Sequence, residues 1–317
     1  MNKIYTTEYK IYMPQRSGIK IGIINDLHFS SKISNQKLNV IKEKIKNAFL
    51  DYLLFPGDLV DHIGTVQDSS ERNRLLFWLQ DLGEICRVLI SLGNHDFYKE
   101  SQSRQWVYYM DEVFWNSVNH IKGVHVLNNE QYEDDQVHIV GITQPFDYYH
   151  PSNSKREDKN RLMEMLYSIR SLLCDLPVDK LNLAMIHCPM YLTDQRIQCL
   201  LKEFDYFITG HMHNGCIPPM LDELWNSTRG LISPDNSLFP KNARNTLKYR
   251  DDKLLVNGAL TTFHECSGPL EKLNFLFPIY MSFMEFTDDC TYNHEKIDIS
   301  KKYEKFHVSL TATKETT

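Results

Sequence analysis

The chain has 317 residues, 42% of them hydrophobic, which is enough for one large domain or two small ones with a sizeable core. Its 41 acidic and 35 basic residues give a net charge of -6, which excludes a general attraction to duplex DNA. The seven scattered cysteines form no C-x-x-C pair, no signal peptide precedes the first elements, and no apolar stretch could span a bilayer. We therefore expect a cytoplasmic protein without a membrane span.

The first half of the chain alternates strand-like and helix-like patterns. Residues 19–24 and 52–55 are apolar runs that predict strands, and helical spacing of apolar residues separates them. Helical spacing then recurs over residues 75–82 and leads into a third predicted strand at residues 88–92. Two strand–helix–strand units in succession predict a parallel sheet within an α/β fold.

The second half is less regular. Residues 124–127 and 136–142 are predicted to form neighbouring strands joined by a polar turn, and an amphipathic helix follows within residues 151–176. Short strands are expected at 181–186, 206–209, 254–260 and 273–286. Residues 214–253 predict an irregular loop near the site, and residues 308–317 a polar C-terminal tail. Because no repeat or linker divides the chain, residues 1–307 are predicted to form a single domain.

Five polar clusters each follow an apolar, strand-like run. Because the carboxyl ends of parallel strands meet at one edge of a sheet, these groups are expected to converge and could hold two metal ions. The clusters are Asp26-Leu27-His28, Gly57-Asp58 with Asp61, Gly93-Asn94-His95-Asp96, His187, and Gly210-His211-Met212-His213.

The residue types in these clusters suit a transition metal. Asp26 and His28 are two positions apart at a strand end, so their side chains can reach the same ion. Asp58 has two carboxylate oxygens and could bridge two ions. A mixture of nitrogen and oxygen ligands favours manganese, iron or zinc over calcium, which prefers oxygen alone.

The order D-x-H, G-D-x-x-D, G-N-H-D, H, G-H-x-H resembles the signature of the calcineurin-like metallophosphoesterase superfamily, over residues 21–213 and with further strands to about residue 286. The resemblance implies a four-layer α/β/β/α sandwich of two mixed β-sheets flanked by helices. It also implies metal-dependent hydrolysis of a phosphodiester or phosphomonoester by a hydroxide that bridges two divalent or trivalent ions. Manganese or iron is expected, with zinc, nickel and magnesium as alternatives.

The resemblance further implies a role for each motif residue. The first ion would be held by Asp26, His28, Asp58 and His213, and the second by Asp58, Asn94, His187 and His211. His95 would protonate the leaving oxygen as general acid, and Asp61 would orient it. A helix N-cap is the alternative interpretation of Asp61.

Residues next to and within the motifs help to distinguish the subfamilies. Protein Ser/Thr phosphatases have an arginine immediately before G-N-H, whereas Leu92 precedes Gly93 here, which disfavours that class. Residues 210–215 are similar to the G-H-T-H-G-G-Q motif of bacterial phosphoesterases, with departures at Met212, Asn214 and Cys216. The expected substrate is therefore a phosphoester of small or medium size.

Two groups of residues outside the motifs are candidates for substrate contacts. Arg229 and Arg244 follow the last ligands closely in sequence, and we hypothesise that they contact phosphate; solvated surface charge is the alternative. Phe146, Tyr148 and Tyr149 form a second candidate substrate wall, with ordinary packing as the alternative.

Two other functions compete with a phosphoesterase of small substrates. A DNA or RNA nuclease could carry the same motifs, but the net charge and the lack of a separate basic DNA-capping region disfavour it. A non-catalytic scaffold of the same fold is disfavoured because every expected ligand and His95 are present. The sequence does not predict the oligomeric state.

Overall fold

The structure is a computed structural model that describes residues 4–102, 105–149, 155–189, 194–213, 246–247, 254–261, 279–289 and 306–311. Within these ranges the α-helices are α1 (Asn35–Asn47), α2 (Ser69–Ile85), α3 (Glu112–Asn119), α4 (Lys155–Ser168) and α5 (Gln195–Leu201). The strands are β1 (Ile4–Tyr12), β2 (Lys20–Ile23), β3 (Tyr52–Pro56), β4 (Arg87–Ser91), β5 (Tyr98–Gln102), β6 (Gln105–Tyr109), β7 (Val124–Val126), β8 (Glu130–Glu133), β9 (Val137–Ile142), β10 (Leu181–Ile186), β11 (Tyr206–Thr209), β12 (Thr246–Leu247), β13 (Leu254–Val256), β14 (Ile279–Thr287) and β15 (Phe306–Thr311).

The strands form two large sheets and one hairpin. The first sheet has seven strands in the order β15-β1-β14-β2-β3-β4-β7, and the second has six in the order β12-β13-β11-β10-β9-β8. Both sheets are mixed, because β14 pairs antiparallel with β2, and β8 and β12 pair antiparallel with β9 and β13. The predicted parallel arrangement of β2, β3 and β4 is confirmed. Strands β5 and β6 pair with each other as a separate hairpin.

Alternation of side chains along the strands creates the layers. Leu54 of β3 and Leu183 of β10 belong to one apolar cluster that fills the space between the two sheets. Their neighbours point the other way: Leu53 packs in the cluster with α1, α2 and α3, and Ala184 in the cluster with α4 and α5. The four-layer α/β/β/α sandwich of two mixed sheets flanked by helices is therefore confirmed.

Local sequence explains where the first two helices start and which face they bury. Ser34 accepts a hydrogen bond from the Lys37 backbone N–H at the start of α1, and Asp68 caps α2 in the same way. In α1, Leu38, Ile41 and Ile45 recur at helical spacing and are buried against the first sheet. These short-range signals are the reason that both helices could be predicted.

The predicted pairing of the strands at residues 124–127 and 136–142 is wrong. β7 is an edge strand of the first sheet, whereas β9 lies in the second sheet between β8 and β10. The segment expected to be a polar turn contains β8, which pairs antiparallel with β9. The chain thus crosses from one sheet to the other after β7. The Tyr52 hydroxyl spans the same gap by donating to Asp134 Oδ2 at 2.7 Å.

Several elements have no counterpart in the sequence analysis. β1 pairs in parallel with β14, and Ile4, Tyr9 and Ile11 of β1 are buried. The β5–β6 hairpin follows directly after the G-N-H-D motif. β15 pairs with β1 and includes residues 308–311, which were expected to belong to the polar tail. Apart from β12, the predicted irregular loop at 214–253 lies outside the described residues, and the single domain over residues 1–307 stays a prediction.

Hydropathy of the helices bears on the membrane question. Over the described ranges, no helix combines the length and the apolar character needed to cross a lipid bilayer.

The inter-sheet cluster predicts a large effect of a core truncation. Leu183→Ala would remove buried methyl groups between two rigid sheets, so the free energy of unfolding is expected to fall by about 2–5 kcal/mol. Urea denaturation of the metal-free protein measures this loss. Val178→Ala is the matched control, because Val178 is 94% exposed just before β10. Equal losses for the two variants would contradict the position of Leu183 in the core.

Candidate metal centre

The clusters that follow β2, β3, β4, β10 and β11 meet at one edge of the two sheets. His28 Nε2 lies 3.0 Å from His213 Nε2, and Asp26 Oδ1 lies 3.4 Å from the same His213 nitrogen. Asp58 Oδ2 lies 3.7 Å from His28 Nε2, so these four side chains enclose one point. They are the four residues that the resemblance implied for the first ion.

A second group of ligand atoms shares Asp58 with the first. Asp58 Oδ2 lies 3.1 Å from His187 Nε2, and that nitrogen lies 3.3 Å from His211 Nδ1. Asp58, His187 and His211 form a set whose ligand atoms are all within 4.8 Å of one another. The Asp58 carboxylate therefore stands between two candidate metal positions, as expected for a bridging ligand.

Polar atoms that lack partners test whether metal ions fit these positions. Asp26 Oδ1, Asp58 Oδ2 and Asn94 Oδ1 are buried, and none of the described residues gives them a hydrogen bond. Leaving a carboxylate oxygen buried without a donor is costly unless a cation compensates its charge. Because imidazole nitrogens surround the two carboxylate oxygens, the donor set fits two transition-metal ions.

The protein itself holds the opposite oxygen of each carboxylate. Asp26 Oδ2 accepts a hydrogen bond from the His211 backbone N–H at 3.0 Å and another from Asn25 Nδ2. Asp58 Oδ1 accepts one from the His95 backbone N–H at 2.8 Å. Each carboxylate is thereby oriented by one oxygen and left free to ligate through the other, an arrangement typical of metal sites.

His187 is oriented by the end of β3. Its Nδ1 lies 2.7 Å from the Pro56 carbonyl oxygen, which can only accept, so Nδ1 carries the proton and donates it. In the neutral form of the ring, the lone pair of Nε2 then points to the side of Asp58. One backbone carbonyl thus selects the tautomer that binds metal.

The ionisation of the histidines differs across the centre. Burial lowers the pKa of His211 to about 3 and that of His213 to about 4, so both imidazoles are neutral near pH 7. Burial also disfavours the charged form of His187, but the Asp58 and Asp26 carboxylates outweigh it and raise the pKa to about 9. Burial disfavours the ionised form of Asp58, but His187, His95 and His28 outweigh it and lower the pKa of Asp58 well below the usual value. The metal-free centre therefore stores a proton on His187.

Backbone strain concentrates at the same residues. Asp26, His28, Asp58, His211 and His213 all have positive φ, between 44° and 68°. A left-handed backbone at a residue with a side chain costs of order 1–3 kcal/mol and is typically retained at functional sites. Here the sharp turns after β2, β3 and β11 aim these side chains at the common edge, instead of letting them continue along the sheet.

His95 and Asp61, the predicted proton-transfer pair, lie close together. His95 Nδ1 lies 2.5 Å from the backbone carbonyl oxygen of Asp61, whereas the Asp61 carboxylate lies 3.7 Å from His28 Nδ1. The Asp61 carboxylate thus lies within 4.8 Å of ring nitrogens of both His28 and His95, and its role in orienting His95 stays a prediction. The N-cap alternative for Asp61 is wrong, because His62, and not Asp61, caps the turn that follows by accepting a hydrogen bond from the Gly64 N–H.

Asp96 is a residue of the centre that the sequence analysis did not assign. Its buried carboxylate accepts hydrogen bonds from the backbone N–H groups of Asp58 and Gly93 at 2.8 Å and of Val60 at 3.2 Å. It thereby ties the loop after β3 to the loop after β4. Burial and the nearby Asp58 carboxylate raise the pKa of Asp96 to about 7. Its place in the G-N-H-D motif was the available signal.

Two tyrosines of the predicted substrate wall, Tyr148 and Tyr149, have packing and hydrogen-bond contacts, and their role toward substrate stays a prediction. Tyr148 is buried in the core of the outer layer. The ring centroid of Tyr149 lies 5.4 Å from that of His211, and its hydroxyl donates to Gln144 Oε1 at 2.8 Å. Gln144 in turn exchanges two hydrogen bonds with the Cys188 backbone, directly after His187. The side chain of Phe146, and Arg229 and Arg244 entirely, lie outside the described residues.

Comparison with known proteins agrees with this geometry. The model of the calcineurin-like phosphoesterase family matches residues 19–215, which is more than half of the chain, so the chain belongs to this family. No curated protein matches the sequence significantly.

Two solved structures show how far the likeness extends. A phosphopantetheinyl hydrolase from Mycobacterium tuberculosis has 16% identity and a TM-score of 0.39, with 63% of this chain and 85% of that one covered. A dimetal phosphatase from Danio rerio has 13% identity and a TM-score of 0.39, with 62% and 82% covered. Similarities this distant carry no argument about the substrate.

The close approach of Gly57 to His187 predicts that a methyl group there would damage the centre. Gly57 has a φ of +90°, and a Cβ atom would collide with the His187 ring and with the Gly93 backbone. Gly57→Ala is expected to lower metal affinity at least ~10-fold, because it displaces ligands on two strands. Equilibrium dialysis with Mn²⁺ measures this loss.

Gly18→Ala is the matched control for this substitution. Gly18 has nearly the same φ, +93°, but no described atom lies within 4 Å of the added Cβ. It should cost only the backbone strain, about 1–2 kcal/mol of stability, and leave metal affinity unchanged. A similar loss of metal affinity in both variants would show that strain alone, and not contact with His187, is responsible.

The proton on His187 predicts a pH-dependent release when metal binds. At pH 7 the His187 imidazole is protonated, because its pKa is about 9, and a metal ligand must be neutral. Binding should therefore release at least about one proton per chain at pH 7, and the release should decline as the pH rises through 9. Calorimetric titration in buffers of different ionisation enthalpy counts the protons. Identical heats in all buffers at pH 7 would contradict this assignment.

Proposed function

We propose that this chain is a binuclear metal-dependent phosphoesterase that hydrolyses a phosphodiester or phosphomonoester of small or medium size. One observation carries the proposal: the Asp58 carboxylate lies between two sets of ligand atoms and has one buried oxygen that accepts no hydrogen bond from the described residues. Membership of the calcineurin-like phosphoesterase family supports the same reaction class.

The donor atoms support a division of the ligands between two ions. Asp26, His28, Asp58 and His213 would hold one ion, and Asp58, Asn94, His187 and His211 the other. When bound, such ions activate a water for attack on phosphorus and stabilise charge on the phosphoryl oxygens. Mixed imidazole and carboxylate donors favour manganese or iron, with zinc, nickel and magnesium as alternatives.

His95 is proposed as the general acid. The Asp61 carbonyl oxygen accepts from His95 Nδ1, which leaves Nε2 as the nitrogen that can exchange a proton with substrate. The carboxylates of Asp58 and Asp61 lie nearby, and the pKa values of both are lowered, that of Asp61 mainly by its interaction with His28, so both are ionised near neutral pH. A proton on His95 Nε2 could pass to a leaving oxygen, which is the role of a general acid.

The proposed substrate class follows partly from a missing contact. Leu92 is completely buried beside the motif, so this position adds no cation for a phosphate group. Phosphate contacts must then come from the ions and from other segments, and Arg229 and Arg244 remain our proposals for that role. The absence of an arginine here continues to disfavour a protein phosphatase.

Two variants should separate metal binding from proton transfer. Asp58→Asn removes the shared charge, so metal occupancy and turnover should fall together. His95→Ala should keep both ions but lose about 10²–10⁴-fold in kcat, more with phenyl phosphate than with p-nitrophenyl phosphate, because the poorer leaving group needs the proton more. Elemental analysis and steady-state rates on both esters, and on bis-p-nitrophenyl phosphate, measure these effects.

His120→Ala is the control for this pair, since His120 is an exposed histidine at the end of α3, remote from the motifs. Its metal content and rates should match those of the wild type. Loss of metal from the His95→Ala protein would contradict the role of His95. A protein with two bound ions that cleaves none of these esters with manganese, iron, nickel or zinc would contradict the proposed activity, and degradation of single-stranded DNA would favour the nuclease.

A further inference from the structure

A series of buried, hydrogen-bonded polar side chains extends from Asp26, a proposed ligand of the first ion. Asn25 precedes it at the end of β2, Asn257 follows β13, and Ser282 lies in β14. All three are completely buried. Ser282 Oγ lies 2.5 Å from Asn257 Oδ1, Asn257 Nδ2 contacts Asn25 Oδ1, and Asn25 Nδ2 contacts Asp26 Oδ2.

The chemistry of Asp26 determines the direction of every hydrogen bond in this series. An ionised carboxylate can only accept, so the amide group that faces it must be the NH₂ of Asn25. The Asn25 carbonyl then faces Asn257, which must present its own NH₂, and the Asn257 carbonyl must accept from the Ser282 hydroxyl. Each donor therefore points towards Asp26, and successive bonds polarise one another in that direction.

Backbone hydrogen bonds of the loop that contains Asn257 also connect the two sheets next to the metal centre. The Asn257 backbone N–H donates to the Thr209 carbonyl at 2.9 Å, and the Leu260 N–H donates to the Asn25 carbonyl at 3.0 Å. Asn257 thus joins β2 and β14 of the first sheet to the loop after β13 of the second. The orientation of Asn25 consequently depends on a residue 232 positions away in sequence.

The hydrogen bonds to Asp26 decide which of its oxygens is available. Oδ2 is engaged by Asn25 and by the His211 backbone, and only Oδ1 faces His28 and His213, at 3.8 and 3.4 Å from their Nε2 atoms. If the Asn25 amide turned over, its carbonyl would face Oδ2 and repel it. The carboxylate would then rotate out of the arrangement in which Oδ1 completes the first set.

We propose that Asn257 is a positioning residue for the first metal ion, acting through Asn25 on the Asp26 carboxylate. This inference rests on the proposed function only in that it requires two metal positions at the site. Orienting groups of this kind typically contribute 10–100-fold in metal affinity. The series of hydrogen bonds ends on Asp26, which belongs to the first set of ligand atoms alone. The affinity for the second ion should therefore change little.

The test is a titration of the metal-free protein with Mn²⁺ against a chelating dye. His213→Ala and His187→Ala, which each remove a ligand from one set, assign the two binding steps. Asn257→Ala should weaken the first step about 10–100-fold and change the second less than about 3-fold. Equal weakening of both steps, or of neither, would overturn the inference.

A double variant tests whether Asn257 acts through Asn25. If it does, the affinity of the Asn25→Ala/Asn257→Ala protein for the first ion should equal that of Asn25→Ala alone, because the second substitution has nothing left to orient. Independent losses that multiply would overturn the proposed route. Ser282→Ala removes only the far hydroxyl, and a smaller, first-step loss of about 3-fold is expected even if Asn257→Ala does not fold.

Asn182→Ala is the matched control for a merely structural effect. Asn182 is also buried, and its Nδ2 donates to the Pro177 and Lys180 carbonyls, at the start of β10 and so at the opposite end of that strand from His187. It should lower the melting temperature without changing either affinity. The readout is metal binding, so a protein that binds two ions but cleaves no ester would contradict the proposed function and leave this inference standing.

Discussion

The buried charge of the Asp58 carboxylate is the constraint on which the centre depends. A buried carboxylate is unstable unless opposite charge and hydrogen bonds compensate it. The backbone N–H of His95 holds one oxygen, and the other lies 3.1 Å from His187 Nε2 and 3.7 Å from His28 Nε2. In the metal-free protein a proton on His187 supplies the opposite charge. Metal ions held by these residues would replace that proton, so the groups that stabilise the metal-free protein are the ones that would receive metal.

A rigid scaffold is needed to hold such a centre. Five candidate ligands adopt a left-handed backbone, and the total cost of these conformations is on the order of several kcal/mol. The apolar cluster between the two sheets can support that cost because it anchors the strands from which the loops emerge. The loops are further tied to one another, most directly by the Asp96 carboxylate, which bonds to backbone groups after β3 and β4.

The two carboxylates that face the candidate ions follow the same plan. In each, the protein binds one oxygen through hydrogen-bond donors and leaves the other to a cation. For Asp26, the supporting hydrogen bonds continue through Asn25 to Asn257, between the two sheets. For Asp58, the support comes from the same sheet, because Asp96 accepts a hydrogen bond from the Asp58 backbone N–H. Orientation by an outer layer of hydrogen bonds lets a site form without metal and bind it with little rearrangement.

Much of this protein could be predicted from short stretches of sequence. The strand runs before each motif, the caps of α1 and α2 and the motif residues themselves depend on neighbours within a few positions. Parallel strands explain why the motifs converge within each sheet, and the packing of the two sheets brings the two groups together. Only the tertiary structure decided that β7 and β9 lie in different sheets, that β1 pairs with β14, and that the Asp61 carbonyl contacts His95 Nδ1. It also brought Asn257 to Asn25. These features depend on contacts between segments far apart in the chain, and periodicity identifies a strand or a buried face without specifying its partner.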